Sequence, residues 1–225
     1  MRLLLLIPCF FLLHHSKAQT HPSDSKYPVD SGYFSSFDGT KIYYEVRGKG
    51  KPVLLVHGFI VNSNSWKGTA LYDELLNHGY KVVILDMRGN GKSDKPHDST
   101  AYDNDAEAKD IMLLMDLLKT HQYSVVGYSR GSIITARLLV LDKRIKTAVL
   151  GGMGTGFTNP QWPRRIMFYR AMMGDSVPEL KGVVNYVHQQ NLDQLALAYL
   201  QRSQPSTSKE ELGKIKKPVL VISGS

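Results

Sequence analysis

Short apolar runs, each about as long as a buried β-strand, alternate along this chain with segments of helical periodicity. The runs are continuously apolar rather than alternating in polarity, which is typical of parallel strands that are covered on both faces. They lie at residues 52–56, 81–86, 123–127, 146–151 and 218–223. Helical patterns lie between them at residues 66–78, 104–120 and 130–141. This order predicts an α/β protein whose mostly parallel sheet carries helices on both faces.

Two regions depart from the simple alternation. Residues 32–37 and 41–46 are short β-rich segments joined by Asp38-Gly39, which is a strong signal for a hairpin turn. Residues 154–211 are helix-like and too long for a plain crossover between two strands. We therefore expect a core domain made of residues 32–153 and 212–225, with residues 154–211 inserted as a helical cap.

The N-terminus has the features of an export signal. Arg2 supplies a positive charge, residues 3–13 form an apolar run, and Ser16 and Ala18 are small residues two positions apart. This pattern predicts that residues 1–19 are a signal peptide and that the protein is exported, either secreted or periplasmic. The alternative is a buried N-terminal strand or helix.

Composition excludes several classes of function. The only cysteine, Cys9, lies inside the predicted signal peptide, so thiol catalysis, disulfides and thiolate metal sites are excluded from the mature chain. The net charge is +8, but the basic residues are scattered, so no nucleic-acid partner is expected. Past the leader, no stretch is long and apolar enough for a stable membrane anchor. Neither a metal nor an organic cofactor is implied.

The sharpest motif is a G-x-S-x-G pattern centred on Ser129, with glycines at 127 and 131. It lies where an apolar strand gives way to a helix, which is the setting of a nucleophile elbow. In such a turn the serine projects above the sheet edge, and flanking side chains would collide with the neighbouring strand and helix. Ser129 is therefore the candidate nucleophile. The alternative is a structural turn that happens to contain a serine.

A second motif, His57-Gly58-Phe59, closes the strand at residues 52–56. A turn here places the Phe59 N–H at the carboxyl edge of the sheet, where it can hold an oxyanion together with the Arg130 N–H. We expect His57 to brace this loop, with a role as the catalytic base as the alternative.

The third motif is the glycine-rich loop at residues 86–96, which follows a strand. It has neither the G-x-x-x-x-G-K-[ST] nor the G-x-G-x-x-G spacing of phosphate-binding loops. A tightly turned connection is the expected structure, and nucleotide binding is a minor alternative.

Taken together and in this order, the three motifs resemble those of the α/β-hydrolase family, over residues 32–225. The resemblance implies that Ser129 is the nucleophile and that Phe59 and Arg130 are the oxyanion donors. It also implies that Asp86 and Arg88 brace the loop after the fourth strand. The chain departs slightly from the family pattern at Asn90, where an aromatic or histidine is frequent, and at Ser132, where a second glycine is frequent.

The resemblance also implies a catalytic acid just after the strand at residues 218–223, followed by a histidine. Both are then expected beyond residue 225, and the chain is expected to be a fragment, ~40–70 residues short of a complete domain. Among the other histidines, those at 78, 97, 121 and 188 are poorly placed to serve as the base.

The sequence therefore predicts a serine hydrolase that cleaves a small-molecule ester or related acyl bond through a Ser129 acyl-enzyme. A serine at this position argues against relatives that open epoxides or remove halide. Apolar residues of the cap suggest an apolar substrate, although they are equally consistent with the cap's own core: Trp162, Met167, Phe168, Tyr169, Met172 and Met173. The alternative function is non-catalytic binding of a small ligand, and the fragment alone is expected to be nearly inactive.

Overall fold

The structure, a computed structural model, describes residues 27–223 of the 225-residue chain. The predicted signal peptide and the expected catalytic acid and histidine lie outside these residues. Seven strands form one sheet in the order β1-β2-β4-β3-β5-β6-β7. The strands are β1 Val29–Ser35, β2 Lys41–Arg47, β3 Pro52–Val56, β4 Lys81–Leu85, β5 Tyr123–Tyr128, β6 Ile145–Gly151 and β7 Val219–Ile222.

The two N-terminal strands are the antiparallel part of the sheet. β1 pairs with β2, and β2 pairs with β4, in antiparallel fashion, while every pairing from β4 to β7 is parallel. The predicted α/β class with a mostly parallel sheet is therefore confirmed. Because parallel strands end at the same edge, the residues that follow β3, β5 and β6 are brought together there.

The α-helices of the described chain are α1 Ala70–Asn77, α2 Ala106–Leu117, α3 Arg130–Leu141, α4 Pro163–Met172, α5 Lys181–Gln189, α6 Gln194–Arg202 and α7 Lys209–Gly213. α3 has the predicted bounds, whereas α1 and α2 are shorter than the periodicity predicts, because local backbone features limit them. α1 begins at Ala70 rather than residue 66 because the Thr69 hydroxyl caps it, accepting the Tyr72 N–H at 3.3 Å. Left-handed backbone at Asp105 and Lys119 limits α2.

The central strands β3 and β4 are buried on both faces, which explains their continuously apolar sequences, whereas β7 at the end of the sheet is largely exposed. Leu54 and Val56 of β3 pack into a cluster with residues of α2 and α3. Val53 and Leu55 of the same strand point the opposite way, into a cluster with Tyr72 and Leu76. Each fully buried Leu or Val contributes roughly 1.5–3 kcal/mol relative to exposure, so the central strands anchor the whole edge that carries the motifs.

Helices α4, α5 and α6 follow β6 and precede β7, and they lie over the carboxyl edge of the sheet. Their apolar residues form one cluster with Phe59 and Tyr102, which belong to the loops after β3 and β4. A hydrogen bond between the His97 ring and the Asp193 carboxylate joins the loop after β4 to the start of α6, at 2.8 Å. In the part of the chain that the structure describes, no helix has the length and apolarity to cross a bilayer.

Candidate active site

Ser129 occupies a strained turn between β5 and α3. Its backbone has φ 52° and ψ −122°, a conformation that non-glycine residues rarely adopt. Holding a residue there costs on the order of 1–3 kcal/mol, and such strain is typical of functional sites. The Ser129 N–H donates to the Gly151 carbonyl at 2.8 Å, which ties the turn to the end of β6.

The glycines on either side of Ser129 leave no room for side chains. A Cβ atom added at Gly127 would lie 2.4 Å from the Gly131 carbonyl oxygen, and one added at Gly131 would lie 2.2 Å from the Val56 carbonyl oxygen. Both contacts are with backbone atoms, so the turn itself would have to move. The pattern is therefore a geometric requirement of this turn.

The loop after β3 lies directly beside the serine. A Cβ atom built on Gly58 would lie 3.6 Å from the Ser129 Cβ. Phe59 and Arg130 line the same cavity as Ser129. Within residues 27–223, no acceptor is found for the backbone N–H of Phe59 or of Arg130, so both are free to bind a developing negative charge.

His57 has both ring nitrogens occupied by backbone groups. Its Nδ1 donates to the Gly58 carbonyl at 2.7 Å, and its Nε2 accepts the Met87 N–H at 3.0 Å. The ring is buried, and this burial lowers the pKa of His57 below its usual value. His57 therefore holds the loop after β3 against the loop after β4, and neither nitrogen is available to take a proton from Ser129.

The loop after β4 supports the loop that carries Phe59. The Asn90 amide donates to the carbonyls of Phe59 at 2.8 Å and Val61 at 3.1 Å. The Asp86 carboxylate accepts the N–H groups of Ser63 at 2.8 Å and Lys92 at 2.7 Å. Sequence reasoning treated Asn90 only as a tolerated departure, since nothing in the linear pattern shows which loop its side chain reaches.

Arg88 is a fully buried cation that is held by two carboxylates. It donates to Asp110 at 2.6 and 2.7 Å and to Asp38 at 2.7 Å. Burial acts to lower its pKa, but the hydrogen bonds and charges of Asp110 and Asp38 outweigh it and raise the pKa of Arg88 above its usual range. Arg88 therefore joins the hairpin turn, α2 and the loop after β4, and it does not line the cavity beside Ser129.

Two further polar side chains, which sequence reasoning did not assign, fix residues 127–131, here called the nucleophile turn because Ser129 is the candidate nucleophile. The Ser132 hydroxyl accepts the Gly151 N–H at 2.9 Å and lies 2.8 Å from the carbonyl oxygens of Gly127 and Gly151. The Arg130 guanidinium binds the Glu107 carboxylate and also donates to the Leu200 carbonyl of α6 at 2.9 Å. Arg130 was predicted only for its backbone N–H, and its side chain connects the turn to the cap.

A cavity of about 290 Å³ opens beside Ser129, between the sheet edge and α4. Besides Ser129 and Arg130 it is lined by Phe59, Ile133, Gly152, Met153, Gly154, Trp162, Arg164, Arg165, Phe168, Gln201 and Gln204. Of the apolar cap residues named from the sequence, Trp162 and Phe168 line the cavity. Met167, Tyr169 and Met172 belong to the cap's own core, and Met173 is exposed.

Within residues 27–223, neither a histidine nor a carboxylate lines this cavity. His97 pairs with Asp193, His188 contacts Gln194 at 2.7 Å, and His78 is exposed at the end of α1. No group of three potential metal ligands occurs among the described residues. The described residues therefore bring the candidate nucleophile and the candidate oxyanion donors together, and none of the cavity-lining residues among them is a candidate base.

Residues 51–188 match the family model for the alpha/beta hydrolase fold. The chain therefore belongs to the α/β-hydrolase fold family, and the resemblance inferred from its motifs is confirmed.

Three relatives that match this chain differ in the activities for which they are named. A Synechocystis sp. protein, provisionally named a non-heme chloroperoxidase, is 41% identical over 111 residues, which is 48% of this chain and 39% of that one. The non-heme chloroperoxidase of Streptomyces lividans is 35% identical over 123 residues, covering 53% of this chain and 43% of that one. Epoxide hydrolase 3 of Siraitia grosvenorii is 34% identical over 97 residues, covering 43% and 30%. The matched part of this chain thus spans less than half the length of these relatives.

Solved structures agree on the fold. A hydrolase from Pseudomonas aeruginosa PA01 superposes with a TM-score of 0.68 at 22% identity, over 87% of this chain and 80% of that one. An esterase from Exiguobacterium antarcticum superposes with a TM-score of 0.61 at 24% identity, over 84% and 79%. These similarities establish the architecture.

Proposed function

We propose that the full-length protein is a serine hydrolase that cleaves a small-molecule ester or related acyl bond through an acyl-enzyme on Ser129. The observation that carries this proposal is the strained backbone of Ser129, φ 52°, at the mouth of a cavity shared with two unpaired backbone N–H donors. This arrangement suits acyl transfer, because the strained turn exposes the serine hydroxyl and the free N–H groups can stabilise the oxyanion of the tetrahedral intermediate.

The proposed reaction has two half-reactions. The Ser129 Oγ attacks the acyl carbon while a base accepts its proton, and the N–H groups of Phe59 and Arg130 hold the tetrahedral oxyanion. The bond to the leaving alcohol breaks as the base returns the proton to it, which leaves the acyl group on Ser129. Water then attacks this ester with the same proton transfers, releasing the acid and restoring the serine.

We propose that the base is a histidine, oriented by a carboxylate, and that sequence following residue 225 supplies both. Two facts support this: the cavity has neither group among the described residues, and the matched region covers under half of the relatives named above. Without its base the serine loses most of its rate, so residues 1–225 alone should be almost inactive.

The apolar wall of the cavity suits the acyl part of a small substrate. Phe59 and Phe168 meet edge to face, with their ring centroids 5.7 Å apart, and Ile133 and Trp162 complete this wall. A cavity of about 290 Å³ accommodates a short acyl chain.

Relatives that are named chloroperoxidases favour a second candidate that uses the same acyl-enzyme. Hydrogen peroxide in place of water would release a peracid, which can oxidise halide. Halide oxidation in the presence of acetate and peroxide, compared between the wild type and Ser129→Ala, tests this directly. Epoxide opening is less favoured, because a serine rather than an aspartate occupies position 129.

The test of the main proposal is Ser129→Ala in the full-length protein. Hydrolysis of short p-nitrophenyl esters should fall to about a few per cent or less, because the nucleophile is gone. The melting temperature should change little, because the side chain faces the cavity rather than the core. A variant that keeps wild-type activity would exclude Ser129 as the nucleophile, whereas a full-length wild type that hydrolyses no ester would favour non-catalytic ligand binding.

Export is a separate proposal, supported by the charged start and apolar run within residues 1–19. Intact-mass analysis of the protein from its native host tests it. Loss of these residues, together with recovery outside the cytosol, is expected. Cytosolic protein that retains Met1 would contradict export.

A further inference from the structure

We propose that the cavity beside Ser129 selects acyl substrates that carry a carboxylate, and that Arg165, aided by Arg164, binds this anionic group. The proposal rests on the function proposed above and specifies its substrate class.

The two arginines differ from the other arginines near the cap in having no carboxylate partner. Elsewhere in the described chain, ion pairs to Asp or Glu are formed by Arg88, Arg130, Arg137, Arg144, Arg170 and Arg202. Arg165 instead donates to the Arg202 carbonyl at 3.1 Å, and its buried Nε has no partner within residues 27–223. Arg164 lies over the Phe168 ring, 5.1 Å from its centroid.

The position of this pair in α4 is unfavourable for the helix. Arg164 and Arg165 lie in its first turn, directly after Pro163, and that turn has no acidic residue. Cations at this end oppose the helix dipole, which favours anions there. Partial burial also lowers the pKa of Arg165, and no nearby carboxylate offsets the effect. Two arginines held under these conditions at a cavity wall are better explained by a bound anion than by stability.

Two buried amides add further donors to the same cavity. Gln201 and Gln204 both line it, although only 5% and 6% of each residue is exposed. Neither side-chain amide is among the fully buried polar atoms that lack a partner within residues 27–223, and both residues line the cavity. An amide that lines the cavity has two N–H donors and one acceptor to offer a polar ligand.

The cavity thus combines an apolar wall with a cationic, donor-rich end and carries no acidic side chain among its lining residues. Arg130 lines it too, but Glu107 already neutralises its charge. A guanidinium fork matches the two oxygens of a carboxylate. The complementary substrate is therefore an ester with a short apolar spacer and a terminal carboxylate, such as a half-ester of a dicarboxylic acid.

The experiment uses the full-length protein and two matched esters, mono-p-nitrophenyl glutarate and neutral p-nitrophenyl pentanoate. The wild type should prefer the anionic ester in kcat/KM, and Arg165→Met should reduce that preference about ten-fold or more, chiefly through KM. Arg164→Met should reduce it by a smaller factor. Arg170→Met is the control, because Arg170 lies on the same helix, pairs with Asp175 and does not line the cavity.

A binding measurement separates failure of this inference from failure of the proposed function. Calorimetry should show that the Ser129→Ala variant binds monoethyl glutarate, and that it binds diethyl glutarate at least about ten-fold more weakly. In the double variant Ser129→Ala with Arg165→Met, this difference in affinity should disappear. If the variants bind in this way but the full-length wild type hydrolyses neither ester, the result would support the anion site and contradict the proposed hydrolase activity. Equal binding or turnover of anionic and neutral esters, or an unchanged preference in folded Arg165→Met, would overturn the inference.

Discussion

The guanidinium of Arg130 and the carboxylate of Glu107 form two parallel hydrogen bonds, 2.6 and 2.5 Å long, directly behind the nucleophile turn. Both side chains are buried, and Arg130 also donates to the Leu200 carbonyl. The Arg130–Glu107 ion pair thus connects the start of α3, directly after Ser129, to α2. Through the Leu200 carbonyl, Arg130 also connects it to the cap helix α6. Because the Arg130 N–H is a proposed oxyanion donor, this pair connects the position of that donor to the packing of the cap.

Removing one partner should be far more damaging than removing both. Glu107→Ala leaves the Arg130 cation buried without a partner, so we expect unfolding free energy to fall by about 3–5 kcal/mol. The double variant Glu107→Leu with Arg130→Met should lose clearly less, because it leaves no uncompensated charge. Urea unfolding of the full-length protein measures both values. Equal losses in the single and double variants would show that the pair has no such electrostatic role.

Gly131→Ala should destabilise the protein by at least ~2 kcal/mol, because its Cβ would be forced against the Val56 carbonyl at the heart of the turn. Gly213→Ala is the matched control. Gly213 ends α7 and has no atom within 4 Å of an added Cβ, so alanine there should be neutral or slightly stabilising. Thermal melts of both variants test this, and comparable melting temperatures would contradict the steric account of the motif.

Asn90→Ala should lower kcat about ten-fold or more while changing KM little. The variant removes the two hydrogen bonds that hold the Phe59 and Val61 carbonyls, so the proposed oxyanion donor loses its precise position. Asn64→Ala, at an exposed position in the same region, is the control. Steady-state kinetics with a p-nitrophenyl ester should show a reduced kcat in Asn90→Ala and a wild-type kcat in Asn64→Ala. An unchanged kcat in Asn90→Ala would show that Asn90 does not position the oxyanion donor.

His57 should make stability depend on pH below the ordinary histidine pKa. Burial lowers its pKa in the folded state, so the folded chain keeps the ring neutral while the unfolded chain takes up a proton below about pH 6.5. Unfolding free energy should therefore fall as pH drops from about 6.5 to 5.5, by at most ~1.4 kcal/mol per unit, and this contribution is absent above that range.

The comparison that isolates this effect uses His57→Gln and, as a control, His121→Gln at an exposed position. Urea unfolding across the same pH range should show a shallower dependence in His57→Gln and a wild-type dependence in His121→Gln. A wild-type slope in both variants would mean that His57 is not held neutral by the fold.

The strands and the nucleophile turn could be predicted from sequence because their signals are local. β3 spans the predicted residues Pro52–Val56, and α3 spans Arg130–Leu141 as predicted. A continuous apolar run and a glycine on each side of Ser129 are short patterns that can be recognised from neighbouring positions, even though the contact that excludes a side chain at Gly131 is with Val56 of β3. Helix α1 was predicted four residues too early, because an apolar period does not show where a side chain such as Thr69 caps the helix.

The support around the site could not be predicted, because it depends on residues far apart in the chain. Glu107 meets Arg130 only through the packing of α2 against α3, and Asn90 reaches Phe59 only because β3 and β4 are neighbours in the sheet. The cationic end of the cavity was missed for the same reason. Arg164 and Arg165 do not stand out in a basic sequence. Only the three-dimensional structure shows that, among the described residues, neither is paired with a carboxylate.

The most direct test of the central claim is covalent labelling of the full-length protein with a fluorophosphonate, followed by peptide mass mapping. An activated serine reacts rapidly with such a probe, whereas an ordinary serine does not. We predict a single adduct on Ser129, absent from Ser129→Ala, with loss of ester hydrolysis in proportion to labelling. An enzyme that hydrolyses esters while Ser129 stays unlabelled, or that carries its adduct on another residue, would contradict the account.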